Sequence, residues 1–158
     1  MDWKPLLTTF FIMFVVFVIA ETDLIVRLIL ALAFCAVIGF EREKEEEPAG
    51  FRTHMLICLG ATLFTVLSFD FPNTGDPSRV AAGLVTGIGF LGAGAIFKAE
   101  NKIKGLTTAA DLWVLTAVGM AIGIGYYLAA GMTTVADLVI LYLKKFMRKN
   151  PEKVLQND

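Results

Sequence analysis

The chain has 158 residues, of which 56% are hydrophobic and 18% charged, and its formal net charge is −1 at pH 7. Soluble domains contain about 45–50% apolar and about 25% charged residues, so this composition excludes an ordinary soluble domain. The near-neutral charge also argues against a nucleic-acid partner, because proteins of that class carry a basic surface.

Six apolar blocks, separated by charged or turn-forming segments, predict an all-α bundle of about six transmembrane helices. A helix needs about 20 residues, or about 17 at the short end, to cross the hydrocarbon core. The second, fourth and fifth blocks meet that length, and the other three need flanking residues. We expect a single transmembrane domain over 1–147 and a polar cytoplasmic tail over 148–158. The blocks are 5–20, 24–40, 55–69, 80–97, 106–128 and 132–142.

The first block, 5–20, also has the pattern of a secretory signal peptide. Lys4 precedes its apolar run, and the small residues Val18 and Ala20 precede Glu21. Cleavable signal peptides share this order of a basic start, an apolar stretch and a small-residue cleavage site. Of the two interpretations, we expect a helix that is retained as a membrane span.

The distribution of Lys and Arg predicts the orientation of the bundle. With six spans, 12 of the 14 basic residues fall on the side of the membrane that holds the N-terminus. Arg27 and Arg79 are the two on the other side. Because cytoplasmic loops are enriched in Lys and Arg, both termini are predicted to be cytoplasmic.

The two cysteines, Cys35 and Cys58, each lie inside an apolar block, and they lack the C-x-x-C spacing of redox and zinc sites. Free cysteine is among the most buried residue types and packs as a small hydrophobic side chain. We therefore predict two buried, inert thiols rather than a disulfide or a metal site.

Charged residues flank the loop between the second and third blocks. Glu41 and Arg42 end the second block, and Arg52, Thr53 and His54 open the third. If the loop folds back as a hairpin, these side chains converge at the cytoplasmic surface. Carboxylates with access to solvent suit Mg²⁺, which keeps most of its waters and takes one or two acidic ligands. The alternative is a solvated charged loop that fixes the helix ends, and the lone His54 is a weak signal for metal binding.

The segment before the fourth block is a good helix start. Asp76 suits the N-cap and Pro77 the first helical position. Arg79 would then lie at the outer entrance of the fourth span, where it can pair with Asp76, Asp70 or Glu21. An interfacial ion pair is the simplest interpretation of Arg79.

The fourth block is rich in glycine, and the fifth repeats the theme. Small residues let membrane helices approach closely, so one interpretation is a helix packed between neighbours. The other is a broken helix whose backbone carbonyls line a cation path. Residues 87–92 read G-x-G-x-x-G, but a dinucleotide fingerprint needs a soluble βαβ unit, which a membrane span excludes. The helix-packing candidates are Gly83, Gly87, Gly89, Gly92, Gly94, Gly119 and Gly123.

Asp111 and Asp137 are the acidic residues closest to membrane depth. Carboxylates inside a membrane are costly and are often functional. Thr108 and Thr134 precede them by three residues, as in a capping box. Three interpretations are open: the aspartates cap two helices, bind an ion or a proton, or pair with a residue of another helix.

Five segments together resemble the MgtC/SapB family of membrane proteins. They follow one another in the order of that family, within about 24–142, after the additional N-terminal block. Because the chain ends soon after this core, it resembles a short form without the soluble C-terminal domain of full-length MgtC-type proteins. The segments are 39–42 (GFER), 49–53 (AGFRT), 76–82 (DPSRVAA), 87–96 (GIGFLGAGAI) and 105–113 (GLTTAADLW).

The resemblance implies a multi-pass protein of the cytoplasmic membrane that is tied to magnesium limitation. Members of the MgtC type are associated with virulence, survival at low Mg²⁺ and restraint of the membrane ATP synthase. Asp111 stands where the family pattern leads us to expect Ser or Thr. The polar positions of the family correspond here to Glu41, Arg42, Arg52, Thr53, Asp76, Arg79 and Thr107.

Two functions follow as expectations. The first is binding or transport of a divalent cation, with Mg²⁺ as the ion and Glu41, Asp76 and Asp111 as its ligands. The second is regulation, in which the small-residue faces dock on another membrane complex such as the ATP synthase. We expect a homo-oligomer, with a dimer as the simplest form, and no enzymatic activity, because the sequence offers neither a nucleophile–base pair nor a cluster of metal ligands. No cofactor other than Mg²⁺ is expected.

Overall fold

The computed structural model describes residues 4–70, 76–99 and 102–148, and most of the predicted tail lies outside them. Within these residues the chain forms five helices, and the predicted helical membrane bundle is confirmed. Four helical segments are long and apolar enough to cross a membrane, and a shorter apolar segment, Tyr127–Leu143, follows them. The helices are α1 (Lys4–Lys44), α2 (Phe51–Asp70), α3 (Pro77–Ala95), α4 (Leu106–Ile124) and α5 (Tyr127–Arg148).

The turn expected between the first two apolar blocks is absent. α1 is one helix of 41 residues, so the predicted spans 5–20 and 24–40 lie on the same helix. The polar residues between them, 21–23, include neither Gly nor Pro to end it. At 1.5 Å per residue its length is about 61 Å, roughly twice the hydrocarbon core. The orientation of the termini stays a prediction.

The predicted start of α3 is confirmed. Asp76 is the N-cap, and its carboxylate accepts a hydrogen bond of 2.9 Å from the backbone N–H of Ser78. α3 then runs unbroken to Ala95, so the alternative of a broken helix is wrong. A short antiparallel hairpin, which the apolar pattern does not predict, joins it to α4. Its strands are β1 (Phe97–Ala99) and β2 (Lys102–Lys104).

The core lies between α1, α2, α4 and α5. Its buried side chains include Leu115, Val118 and Ile122 of α4, which is the most enclosed helix. α2 approaches α4 closely because Gly119 has no side chain: a Cβ there would lie 2.7 Å from the carbonyl oxygen of Cys58. α3 lies outside this core, packed mainly on α4.

The prediction of two separate thiols is wrong. Cys35 and Cys58 are fully buried, as expected, but their sulfur atoms are bonded to each other and join α1 to α2. Their Cα atoms are 6.4 Å apart, and 23 residues separate them in sequence. The sequence spacing does not reveal the pair, because it depends on which faces of α1 and α2 pack together.

A buried polar cluster as the candidate functional site

Seven polar side chains converge at one end of the bundle, where α1 and α3 end and α2 and α4 begin. We call this end the hairpin end, because it carries the β-hairpin. We call the group of side chains the polar cluster. Six of the members are between 0% and 9% exposed, and Glu47 is partly exposed. The members are Glu41, Arg42, Glu47, His54, Thr108, Asp111 and Asp137.

Arg42 joins the end of α1 to the following loop. Its guanidinium forms an ion pair with Glu41, and its Nη1 atom lies 3.6 Å from Oε1 of Glu47. The hydroxyl of Thr108 on α4 donates a hydrogen bond of 3.1 Å to Oε2 of Glu47. A buried guanidinium needs such partners, because an unpaired charge in the interior is strongly destabilising. The predicted meeting of charges at this loop therefore takes place inside the bundle, between α1 and α4.

His54 on α2 is held at both ring nitrogens. Nδ1 lies 2.8 Å from the carbonyl oxygen of Gly50, and Nε2 lies 2.8 Å from Oδ2 of Asp111 on α4. Gly39 allows α1 to approach this ring, since a Cβ there would lie 2.9 Å from the Cβ of His54. In the sequence the lone His54 is only a weak signal, because its partner Asp111 lies 57 residues away. A buried titratable pair therefore links α2 to α4.

The fourth carboxylate comes from α5, where the carboxyl of Asp137 lies against that of Asp111. Both side chains are buried. Oδ1 of Asp111 and Oδ2 of Asp137 have no hydrogen-bond partner among the described residues. Buried carboxylate oxygens are normally satisfied, so this pair of oxygens needs an explanation.

Neither aspartate belongs to a capping box, and that interpretation is wrong. Gly105, with φ 87°, starts α4 three residues before Thr108, so Thr108 lies within the helix. α5 starts at Tyr127, so Thr134 also lies inside a helix. Its hydroxyl donates a hydrogen bond of 2.9 Å to the carbonyl oxygen of Ala130. Both aspartates therefore project from helix interiors into the bundle, which leaves the ion-ligand and interhelical-partner interpretations.

The charges of the polar cluster do not balance. Four carboxylates face one guanidinium and one imidazole, and protons or cations must offset the excess, because unpaired buried charge is costly. No group of three or more His, Cys, Asp or Glu side chains within the described ranges is arranged to hold a metal ion. Mg²⁺, however, takes only one or two carboxylates and keeps several waters. Asp111 and Asp137, with their two unpartnered oxygens, fit that requirement.

Asp76 is not near this cluster. It caps the far end of α3, whereas Gly92, near the other end of α3, packs against Ala109 of α4. The 19 residues of α3 put about 28 Å between the two ends. The expected ligand set of Glu41, Asp76 and Asp111 is therefore not brought together.

Asp76 and Arg79 lie near each other at the opposite end of the bundle, but they are not among the ion pairs of the described residues. Hydrogen bonds from the side chain and the backbone of Ser78 hold the pKa of Asp76 below its usual value, and the charge of Arg79 lowers that pKa further. Both side chains are exposed. Arg79 is therefore an exposed charge near Asp76, and the ion pair predicted between the two is not formed.

Three of the other predicted polar residues, Arg52, Thr53 and Thr107, are exposed. Arg52 and Thr53 line an open polar cleft of about 390 Å³ together with Glu43 and Glu46. The cleft lies on the loop side of the polar cluster. These residues are placed to meet solvent, and not to complete the buried site.

The predicted packing glycines separate into two groups. Gly92 packs on α4, while Gly119 and Gly123 pack on α2. A Cβ at the remaining four positions would meet no atom within 4 Å, and two of the four line an apolar groove of about 600 Å³ between α2 and α3. The four open positions are Gly83, Gly87, Gly89 and Gly94, of which Gly83 and Gly87 line the groove.

Residues 28–150 match the MgtC family. This range contains the whole polar cluster. The chain is 46% identical over 127 residues to YhiD of Escherichia coli K12, named as a candidate magnesium transporter, covering 75% of this chain and 59% of that protein. It is 45% identical over 104 residues to MgtC of Brucella abortus, covering 66% of this chain and 44% of that protein.

A third relative, MgtC of Salmonella typhimurium, is 36% identical over 132 residues, covering 84% of this chain and 55% of that protein. The chain thus spans about half the length of these relatives. No solved structure matches it.

Proposed function

The chain belongs to the MgtC family, and we propose that this multi-pass cell-membrane protein binds Mg²⁺ between Asp111 and Asp137, at the hairpin end of the bundle. One observation carries the proposal: each of these buried aspartates has a carboxylate oxygen without a hydrogen-bond partner among the described residues. The name of the Escherichia coli relative supports magnesium as the ion.

The two aspartates suit the coordination chemistry of Mg²⁺. This ion binds oxygen at about 2.0–2.1 Å in an octahedral shell and usually takes one or two carboxylates plus water. An unsatisfied buried acceptor costs about 1–3 kcal/mol, and a shared cation removes that cost at both oxygens. Glu41 and Glu47 add negative charge nearby, and Arg42 already pairs with both of them.

The available ligand atoms favour a hard cation over zinc or copper. Imidazole and thiolate ligands select those softer metals. Both nitrogens of His54 are already hydrogen-bonded, and the cysteine sulfurs are bonded to each other. The described part of the polar cluster therefore offers a metal only oxygen atoms.

Thermal unfolding of the purified protein in detergent, with and without Mg²⁺, tests the proposal. A ligand at about 100 times its Kd stabilises the native state by about 2.7 kcal/mol. We expect Mg²⁺ to raise the melting temperature of the wild type, and Asp137→Asn to abolish the increase. Asp76→Asn, at the opposite end of the bundle, is the matched control and keeps it. A wild type indifferent to millimolar Mg²⁺, or an Asp137→Asn variant with the full response, would overturn the proposal.

A second function, docking on another membrane protein, is favoured by a different observation. α3 turns Gly83 and Gly87 toward the open groove beside α2, and Phe90 on the same helix is 82% exposed. Small residues and open grooves are where membrane helices associate. We infer that α3 carries the contact surface for a second copy or for another membrane protein.

A further inference from the structure

Two cavities of opposite polarity adjoin at the hairpin end. The first is the polar cleft of about 390 Å³ formed by the end of α1, the following loop and the start of α2. The second, which we call the apolar cavity, has about 420 Å³ and lies between the same loop, the end of α3 and Leu112 of α4. Pro48 and Thr53 line both cavities. Each has a volume typical of a ligand site, about 300–1,000 Å³.

The apolar cavity exists because α3 ends in small side chains. Ala93, Gly94 and Ala95 line it, and a Cβ at Gly94 would meet no atom within 4 Å. Phe90 and Leu91, which also line it, are largely exposed on a helix long enough to cross a membrane. Within the described residues, no charged side chain lines this cavity. It therefore opens toward the lipid and offers room for an acyl chain.

The polar cleft carries two unpaired charges of opposite sign. Glu46 and Arg52 are exposed and line the cleft, and neither takes part in the ion pairs of the described residues. The other carboxylates of the cleft are engaged. Oε2 of Glu43 accepts a hydrogen bond of 2.8 Å from the backbone N–H of Phe51, and Glu47 contacts Arg42 and Thr108. The cleft thus presents one carboxylate and one guanidinium to a ligand.

A second, buried guanidinium lies behind the wall of the cleft. Nη1 of Arg42 is 3.6 Å from Oε1 of Glu47, which lines the cleft. Arg42 is 1% exposed, and this nitrogen has no hydrogen-bond partner among the described residues. Buried donors are normally satisfied. An anionic oxygen in the cleft beside Glu47 is a partner of the required kind.

We propose that the two cavities together bind one phospholipid whose headgroup carries both a phosphate and a primary ammonium. The acyl chain occupies the apolar cavity, the ammonium pairs with Glu46, and the phosphate pairs with Arg52. Guanidinium groups suit phosphate, and a primary ammonium has three N–H donors for carboxylate oxygens. This site does not depend on the proposed Mg²⁺ site.

The headgroup determines which lipid is bound. Lipid tails are as apolar as the cavity, so moving a tail from the bilayer into it brings little hydrophobic gain. A trimethylated ammonium has no N–H to donate to Glu46, and a headgroup without an ammonium leaves Glu46 without a partner. Phosphatidylethanolamine is therefore favoured over both phosphatidylcholine and phosphatidylglycerol.

Native mass spectrometry of the purified chain in detergent, titrated with dioleoyl lipids in the absence of Mg²⁺, tests the proposal. We expect phosphatidylethanolamine to bind about fivefold more tightly than the other two lipids, as one exposed ion pair allows. Glu46→Gln should remove this preference. Glu45→Gln is the matched control, because it makes the same change in the same loop but Glu45 does not line the cleft. Arg52→Gln should weaken all three lipids, since each carries a phosphate.

A substitution in the apolar cavity tests the acyl chain separately. Gly94→Leu should prevent binding of all three lipids without lowering the melting temperature, because Gly94 faces open space. Gly89→Leu, on the same helix but outside this cavity, should bind as the wild type.

Four results would overturn the proposal. Equal affinities for the three lipids would show a general lipid coat, and a preference kept by Glu46→Gln or lost in Glu45→Gln would exclude the ammonium contact. Binding to Gly94→Leu as to the wild type would exclude the apolar cavity. Free phosphoethanolamine that binds as tightly as the lipid would show that no acyl chain is held.

Discussion

α3 and α4 are two helices of 19 residues with similar mean hydropathy, 1.2 and 1.5, and both contain glycines at helical spacing. Half of α4 is buried inside the bundle, whereas only 17% of α3 is. Gly119 and Gly123 of α4 meet α2 at close range, while Gly83 and Gly87 of α3 meet open space. A glycine stripe thus predicts that something packs closely, but it does not identify the neighbour.

The enclosed and open sides also differ in polar chemistry. α4 turns Thr108 and Asp111 into the polar cluster, where each has a partner from another segment of the chain. α3 places its capping aspartate and Arg79 at an exposed end. If this comparison is right, matched substitutions on the two sides should have unequal effects.

The largest contrast is expected between two arginines. Arg42→Met removes the ion-pair partner of Glu41 and Glu47 and leaves the buried carboxylate of Glu41 without its guanidinium, at a cost of about 3–5 kcal/mol of unfolding free energy. Arg79→Met, at the exposed end of α3, should change that free energy by no more than about 0.5 kcal/mol. Unfolding in mixed micelles, followed by tryptophan fluorescence, measures both. Equal losses would show that the polar cluster is not a stabilising core.

A second contrast uses the glycines. Gly119→Ala places a methyl group 2.7 Å from the backbone oxygen of Cys58, and such overpacking typically costs about 1–3 kcal/mol. Gly87→Ala meets no atom, so the higher helix propensity of alanine should stabilise α3 by up to about 1 kcal/mol. The same unfolding assay reports the sign of each change. Destabilisation by Gly87→Ala would mean that α3 is packed more tightly than its open face indicates.

A third pair of substitutions, on α3, is expected to change association without changing stability. We expect Gly87→Leu to weaken self-association or partner binding by blocking the groove beside α2, while the thermal stability of the isolated protein stays the same. Gly89→Leu is the matched control, because Gly89 is open but does not line that groove. Cross-linking in membranes and light scattering in detergent measure association. An oligomeric state unaffected by Gly87→Leu would exclude this face as the contact surface.

The smallest effect concerns the cap of α3. The pKa of Asp76 is lowered in the folded protein, so its ionised form stabilises the fold above the unfolded pKa of about 3.9. That contribution is lost as the pH falls through the lower folded pKa. We expect the wild type to be slightly more stable than Asp76→Ala at neutral pH, with a difference that shrinks below about pH 4. A difference independent of pH would contradict the role of the charge.

Local signals in the sequence account for much of the fold. The apolar blocks locate α2, α3 and α4, and Asp76 followed by Pro77 gives the start of α3, because these signals act through neighbouring residues. The continuity of α1 is also local, but it depends on the absence of a breaker at 21–23. In the sequence, three polar residues between two apolar blocks look like a turn, but in the structure they do not end the helix.

The site was harder to predict, because its contacts join distant parts of the chain. His54 and Asp111 are 57 residues apart, and the Cys35–Cys58 bond likewise depends on which helix faces meet. The signal that could have indicated the site was Asp111, an acidic residue where the family resemblance suggests Ser or Thr. The spacing of Thr108 and Thr134 from the two aspartates favoured a capping box instead. A threonine three residues before an aspartate gives the same sequence pattern at a helix cap and inside a helix.

Anomalous diffraction from crystals soaked with Mn²⁺, a stand-in for Mg²⁺, would show directly whether a metal binds between Asp111 and Asp137. We expect one anomalous peak between the carboxylates of Asp111 and Asp137, and we expect it to be absent from crystals of Asp137→Asn. A peak elsewhere in the bundle, or no peak at saturating Mn²⁺, would contradict this expectation.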